Sequence, residues 1–435
     1  MTPRIRRASA LLFALCLAMT LCNVTPAADA APLPGLREEA RVVWDTHGVP
    51  HIYTTNDLDA SFMMGYVHAH DRLFQMDTLR RLFSGQLAEL LGPDALPSDV
   101  QLRTLGLRRA AEETWATSAQ ITRVWLEAYA DGVNAYLESQ PLPPQYGALE
   151  LTRASIPKWT PVDSLVAGKG LAFGLSFDLD DIDRTVSLMA FQAAGNAAGF
   201  DGTALFFEDL FRSAPPDPTV SIPEGPATGP QSLEGTAAAL SSLQPLRQVL
   251  RPETLELART YRDRIAQIPT LSWALDGMDT DRGSNWWLVA GQNSASGLPM
   301  LANDPHLALD SPATFYEVHL LVFDPQRFRV LNANGVSFAG APAIAQGCNG
   351  TLCWGSTVNP LDVTDVYQEV LVVDPATGLP THTMYKGEAE PLVLIPQVYR
   401  VNQIGDGAAD NFAVADVGPT EGGLTFVVPR RNNGP

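Results

Sequence analysis

The chain is short of positive charge, with 29 Lys and Arg against 48 Asp and Glu, for a formal charge of −19. Non-specific binding to nucleic acid or to an anionic membrane needs clustered Lys and Arg, so both are excluded as default partners. No apolar run reaches the ~18 to 20 residues that a membrane span requires. No fixed-period repeat is present, which argues against solenoids and propellers. His-Glu-x-x-His, Gly-x-Ser-x-Gly and Walker motifs are all absent, and the pair His68 and His70, two residues apart on a predicted helix, points to different faces and makes a poor chelate. Cysteine is scarce too: four in 435 residues. Cys16 and Cys22 fall in the leader described next, leaving Cys348 and Cys353 close together in a Gly-rich, hairpin-like stretch, as a disulfide or a metal pair.

What is present is ample apolar material, 46% of residues, enough for one large unit or two closely packed ones. Residues 1–30 have the layout of a secretory signal: Arg4, Arg6 and Arg7, the apolar run Ala10 to Cys22, then the small-residue site Ala28-Asp29-Ala30. An exported, periplasmic or secreted product is therefore predicted.

The first half reads as helical. Arg41 to Asp45 and Pro50 to Tyr53 are strand-like around the turn Thr46-His47-Gly48. From Asp57 to about Phe83, apolar residues at helical spacing predict a long amphipathic helix closed by Gly85. Further helices are predicted over Ala119 to Glu138, over Asp163 to Phe177 behind Pro161, and over Leu255 to Ile268. Between Ser213 and Pro245 the composition turns to Pro, Gly, Ser and Thr, which marks a linker. Beyond Asn285 the runs become strand-like: Trp287 to Ala290, Tyr316 to Val322, Arg327 to Leu331, Val366 to Val373 and Thr425 to Val428. The expected division is 1–30 leader, 31–212 first unit, 213–283 spacer and 284–435 second unit. A strand-like run followed by Arg430 to Pro435, without a closing helix, is expected of an incomplete second unit.

Chemistry concentrates at Gly283-Ser284-Asn285-Trp286, where a polar turn meets an apolar segment that begins with a hydroxyl. A serine hydroxyl needs a base to take its proton. Cleavage before Ser284 supplies one, since a free α-amino group has a pKa near ~7.7 to 8.0 and can accept the Oγ proton directly or through a water. Gly283, lacking a Cβ, suits a strained backbone that would let Ser284 Oγ attack the preceding carbonyl. In isolation the same tetrapeptide is also an ordinary turn before a strand.

Two further blocks follow in order: Leu301-Ala302-Asn303-Asp304-Pro305-His306-Leu307, and Gly347-Cys348-Asn349-Gly350 running into Trp354-Gly355-Ser356-Thr357-Val358. Upstream stand Asp45-Thr46-His47-Gly48-Val49-Pro50-His51-Ile52, Gly65-Tyr66, Asp71 to Met76, and Arg80-Arg81. In these segments the chain resembles the penicillin acylase family of N-terminal nucleophile hydrolases, which includes cephalosporin and acyl-homoserine-lactone acylases. The resemblance covers essentially all of the chain after the leader.

That resemblance implies an α+β fold with an αββα sandwich, helix-rich first and strand-rich second. It implies self-cleavage between Gly283 and Ser284, an α/β heterodimer, and a small-molecule N-acyl amide substrate, either an acyl-homoserine lactone or other fatty acyl amide or a β-lactam side-chain amide. By the same resemblance Ser284 is the nucleophile, His306 orients its amino terminus, and the Val358 N–H belongs to the oxyanion hole. An Asn side chain that completes the hole in relatives, with an Arg nearby, lies beyond the matched region, and Asn359 is not that residue by position. Leu171, Leu175 and Leu307 are expected near the acyl pocket, where aliphatic side chains suit a fatty tail and core packing explains them equally. Calcium is expected at Asp181, Asp362, Thr364 and Asp365, hard oxygen ligands of the kind that ion takes, although a solvated acidic loop accounts for the same residues. The alternative to an enzyme is a catalytically inert, secreted relative or truncated product that binds calcium or a ligand.

Overall fold

Residues 33–212, 252–272, 283–307, 310–326, 329–357 and 364–432 are described by a computed structural model. Strands β1 (Arg41–Trp44) and β2 (Pro50–Thr54) form an antiparallel hairpin. The Asp45 carboxylate ties its turn by accepting from the N–H groups of His47 and Val49 at 2.8 and 3.0 Å, which shows why an Asp opens it.

Helix α1 (Asp57–Ser84) follows, with both ends set by local chemistry. The Asn56 side chain accepts from Asp59 N–H at the start, and Gly85, in the left-handed region, caps the end by donating to the Arg81 and Leu82 carbonyls. The helix is found where it was expected, and it is a central one. Phe62, Met64, Val67, Leu73 and Met76 are buried, and so are His68, Asp77, Arg80 and Arg81, so the helix has contacts on nearly every side. Helix α2 (Gln120–Ser139) crosses it closely enough that a Cβ on Gly65 would fall 2.1 Å from the Tyr129 carbonyl oxygen, and one on Gly132 1.8 Å from that of Phe62. Backbone cannot yield there, so both crossing positions require glycine. Helix α3 (Pro161–Ser176) opens with a capping box between Thr160 and Asp163. Helix α4 (Asp180–Ala198) places Asp180, Asp181 and Asp183 in its first turn, which corrects the reading of this stretch as an acidic loop.

The helix Pro252–Ala266, inside the expected spacer, packs back on the first half. Ile265, Ile268 and Leu271 share a small core with Leu102, Phe173, Leu179 and Ile182.

After it the chain turns to strands: β3 (Gly283–Val289), β4 (Met300–His306), β5 (Phe315–Asp324), β6 (Arg329–Phe338), β7 (Ile344–Asn349) and β8 (Cys353–Trp354). Six of the strands named so far form one sheet in the order β1-β2-β5-β6-β7-β8, parallel only between β2 and β5. That single parallel pairing joins the helical half to the strand half. Ile52, Tyr316, Val318 and Leu320 face the core shared with α1 and α2. Buried His68 crosses this layer, with Nδ1 2.7 Å from the Tyr129 hydroxyl and Nε2 3.0 Å from Ser337 Oγ. Burial pushes its pKa down to about 3, so it stays neutral and serves as a hydrogen-bonding strut. β3 and β4 form a separate two-stranded ladder. The expected strand from Val366 begins only at Leu371 and runs to Val373. Among the described residues no helix is long and apolar enough to cross a membrane. The described residues form an α+β fold in which, after the β1–β2 hairpin, the long helices precede the remaining strands.

Candidate functional site

The β3–β4 ladder sets the geometry around the serine. Its antiparallel register pairs Gly283 with His306, Ser284 with Pro305, Asn285 with Asp304 and Trp286 with Asn303. His306 therefore stands across from the Gly283–Ser284 peptide. Its Nδ1 is 3.9 Å from where a Cβ on Gly283 would sit, and its Nε2 is 3.4 Å from Asn285 Nδ2 and 3.4 Å from Asp304 Oδ2. Gly283 itself departs from expectation. It lies in β3 with φ outside the left-handed region, so the strained backbone foreseen there is not found. Regular pairing with His306 holds it extended instead.

A second segment docks on this ladder from the six-stranded sheet. Cys348 and Cys353 are disulfide-bonded across the β7–β8 hairpin. Inside that turn the Asn349 side-chain oxygen accepts from the Thr351 and Leu352 N–H groups at 2.9 and 2.8 Å. The hairpin is thus fastened where it delivers Gly355, Ser356 and Thr357 to the serine strand. Asn303 receives them: its Oδ1 accepts from Ser356 N–H at 2.9 Å, while its Nδ2 donates to the carbonyls of Ser356 at 2.8 Å and Asn285 at 3.1 Å. Gly355 has to be glycine for this docking, because a Cβ there would fall 2.4 Å from Asn303 Oδ1. Gln346 of β7 adds a bond from Nε2 to Ser356 Oγ at 2.7 Å, and the Thr357 hydroxyl donates to the Ser284 carbonyl at 2.8 Å.

Asn303, Gly355 and Thr357 are docking positions that residue-type reasoning passed over, although all three lie within the blocks quoted above. Asn303 before Asp304-Pro305, and Thr357 two residues after Gly355, read as turn chemistry, and only the pairing of two distant segments shows that they hold the serine strand. Val358, expected to donate to an oxyanion, lies outside the described residues, immediately after Thr357.

The expected pocket residues are not brought together around one cavity. Leu171 and Leu175 lie on α3, the first half-buried and the second exposed, and Leu307 follows β4, half-buried. A cavity of about 180 Å³ is lined by Leu82, Phe83, Leu102, Phe173, Gly174 and Leu271 among others, and none of the three leucines lines it.

The expected calcium ligands are partly gathered. Asp181, in the first turn of α4, accepts from the Val366 N–H at 3.0 Å, so the segment that carries Thr364 and Asp365 adjoins the α4 N-terminus. Asp365 accepts from the Tyr367 hydroxyl at 3.1 Å, and Asp362 lies outside the described residues. No group of three His, Cys, Asp or Glu side chains converges for a metal among the described residues. Asp181 and Asp365 offer the hard oxygen donors that calcium takes.

Comparison with known proteins adds the following. A family profile described as Penicillin amidase matches residues 39–424. The acyl-homoserine lactone acylase QuiP of Pseudomonas aeruginosa is 32% identical over 354 residues, covering 80% of this chain and 36% of the relative. The penicillin acylase 2 proenzyme of Pseudomonas sp. (strain SE83) is 30% identical over 357 residues, 81% of this chain and 40% of the relative. Penicillin G acylase of Escherichia coli is 28% identical over 406 residues, 88% of this chain and 46% of the relative. A solved chain of thermostable penicillin G acylase from Alcaligenes faecalis superposes with a TM-score of 0.38 at 28% identity, covering 43% of this chain and 98% of that one. The chain spans less than half the length of each of these three curated relatives.

Proposed function

The chain belongs to the penicillin amidase family of N-terminal nucleophile hydrolases, and from that membership we propose that it acts as an exported N-acyl amide hydrolase with Ser284 as nucleophile. The observation that carries the reading is the ladder register, with Gly283 facing His306 and the Ser284 carbonyl held by Thr357. In the proposed cycle, cleavage between Gly283 and Ser284 frees an α-amino group on the residue that bears the hydroxyl. That amine accepts the Oγ proton, Oγ attacks the amide carbonyl, the proton passes to the departing amine, and water then releases the acid. His306 orients the new amino terminus, and the Val358 N–H stabilises the developing oxyanion. The cut leaves an α/β heterodimer whose second member begins at Ser284.

Substrates are proposed in the order suggested by relatives named as acyl-homoserine lactone acylases: acyl-homoserine lactones or other fatty acyl amides first, β-lactam side-chain amides second. The leader layout supports export, and the Cys348–Cys353 disulfide agrees with an oxidising compartment. Calcium, held by Asp181, Asp362, Thr364 and Asp365, would tie the first unit to the second as a structural ion.

Gel electrophoresis with N-terminal sequencing of the purified protein tests this directly. Two chains are expected, one of them beginning Ser-Asn-Trp-Trp, together with release of acid from medium- and long-chain acyl amides. A single intact chain, or cleavage elsewhere, would remove Ser284 from its role. Hydrolysis of phenylacetyl amides alone would reverse the substrate order. Within the same reading, Asn303→Ala should slow both self-cleavage and turnover, the latter by about 10- to 100-fold, because the serine strand loses its dock to Ser356. Unchanged rates in a normally folded variant would show that Asn303 positions nothing.

A further inference from the structure

On the face of the six-stranded sheet opposite its core, His51 of β2 and His319 of β5 are register partners in the parallel ladder. Their rings meet edge to face at 72°, with Nδ1 2.9 Å from Nδ1. Both far nitrogens face oxygen acceptors: His319 Nε2 lies 2.7 Å from Asn332 Oδ1, and His51 Nε2 lies 3.6 Å from Asp45 Oδ2. An amide oxygen accepts a proton and offers none, so His319 Nε2 carries its hydrogen and His319 Nδ1 presents a lone pair, which a hydrogen on His51 Nδ1 meets when no ion is present. With that hydrogen moved to Nε2, on the side of the Asp45 carboxylate, His51 turns a second lone pair towards the first, and a cation between them is held by both.

We propose that His51 and His319 bind one divalent transition-metal ion of the zinc class through their facing Nδ1 atoms. Imidazole suits zinc, copper and nickel, and a ligating histidine characteristically donates its other N–H to a carboxylate or carbonyl, the role that Asn332 takes at 2.7 Å and for which Asp45 stands 3.6 Å away. Tetrahedral ligation at zinc–nitrogen distances of about 2.0–2.1 Å places two nitrogens about 3.3 Å apart, so the rings need only part by about 0.4 Å. No third His, Cys, Asp or Glu converges on the pair among the described residues, and water completes the coordination. The site opens into a cleft of about 490 Å³, with Asp45, His47 and Glu317 on its walls, which leaves room for those waters and supplies negative charge around the ion. The two ligands come from opposite sides of residues 213–283, so the ion would staple the helical half to the strand half and keep doing so after a cut before Ser284.

Calorimetric titration of the chelator-treated full chain with zinc chloride tests the site. His51→Gln and His319→Gln keep a polar side chain at each position, circular dichroism checks their folding, and His382→Gln is the control. One ion per chain is expected, with a dissociation constant on the order of micromolar. Affinity should fall by at least roughly tenfold in either variant and stay unchanged in the control. Copper(II) in the same protein should show two nitrogen couplings by electron paramagnetic resonance, and fewer in each variant. Failure to bind at millimolar zinc would mean that a proton alone occupies the gap, and binding indifferent to both substitutions would place the ion elsewhere. Either result overturns the proposal.

Discussion

Ser284→Ala is expected to leave the chain uncut and to lower amide hydrolysis by roughly 10⁴-fold or more, the scale on which loss of a nucleophile acts. The substitution deletes one oxygen from a residue whose recorded attachments are all backbone: the pairing with Pro305 and the carbonyl held by Thr357. The ladder should survive it, so the melting temperature of the variant should match that of the unprocessed parent. Both functions should fail together because, in the proposed cycle, one hydroxyl serves both, attacking the Gly283 carbonyl first and the substrate carbonyl afterwards. Ser284→Cys separates chemistry from folding: a thiol is a competent nucleophile, so cleavage should persist at a changed rate. A cut after Gly283 in the Ser284→Ala variant would show that a different group performs the cleavage, and would end the assignment.

Much of this arrangement is legible in the sequence where local chemistry decides it. Asn56 and Gly85 bracket α1, and Thr160, Pro161 and Asp163 announce α3, because caps act within a few residues. The acidic run Asp180 to Asp183 misleads, since carboxylates that look like a loop are equally at home in the first turn of a helix. β4 is hidden for a related reason: Asn303, Asp304 and Pro305 are turn residues by type, and only pairing with β3 holds them extended, with Pro305 on a two-stranded ladder where a missing donor is tolerated. Val366 to Val370 has strand composition, yet it meets the strand Pro380–Tyr385 only at its end, where the Val370 carbonyl accepts from Met384 N–H at 2.8 Å. At the site, Ser284 and His306 are visible as residue types, and that His306 stands opposite Gly283, one residue before the serine, is a matter of register. The docking of Ser356 on Asn303 joins positions 53 residues apart, which no local pattern encodes.

Removing the Asp77 carboxylate should be the most damaging change to stability, about 3–5 kcal/mol for Asp77→Ala, the usual cost of leaving buried charges without their partner. Its side chain is 1% exposed, and those of Arg80 and Arg81 are 6% and 3% exposed, so water cannot replace what is lost. Asp77 Oδ1 accepts from Arg80 Nε at 2.7 Å and Arg81 Nε at 3.1 Å, and Oδ2 accepts from the Tyr146 hydroxyl at 3.1 Å. The two guanidinium groups also reach the carbonyls of Pro157 at 2.9 Å and Ser155 at 3.0 Å, so the network pins the segment before α3 to α1. Burial alone would raise the Asp77 pKa; the charges of Arg80 and Arg81, with the Tyr146 hydrogen bond, outweigh it and hold the carboxyl below its ordinary value of 3.8. A depressed folded pKa stabilises the protein above the unfolded value, and this contribution is lost as pH falls through the folded one. Urea unfolding should therefore show the parent losing stability steeply below about pH 4, with a flatter acid limb in Asp77→Ala. A loss below about 1 kcal/mol would mean that Asp163 and Glu89, which also pair with Arg80 and Arg81 at 3.6 and 3.1 Å, neutralise the arginines without Asp77.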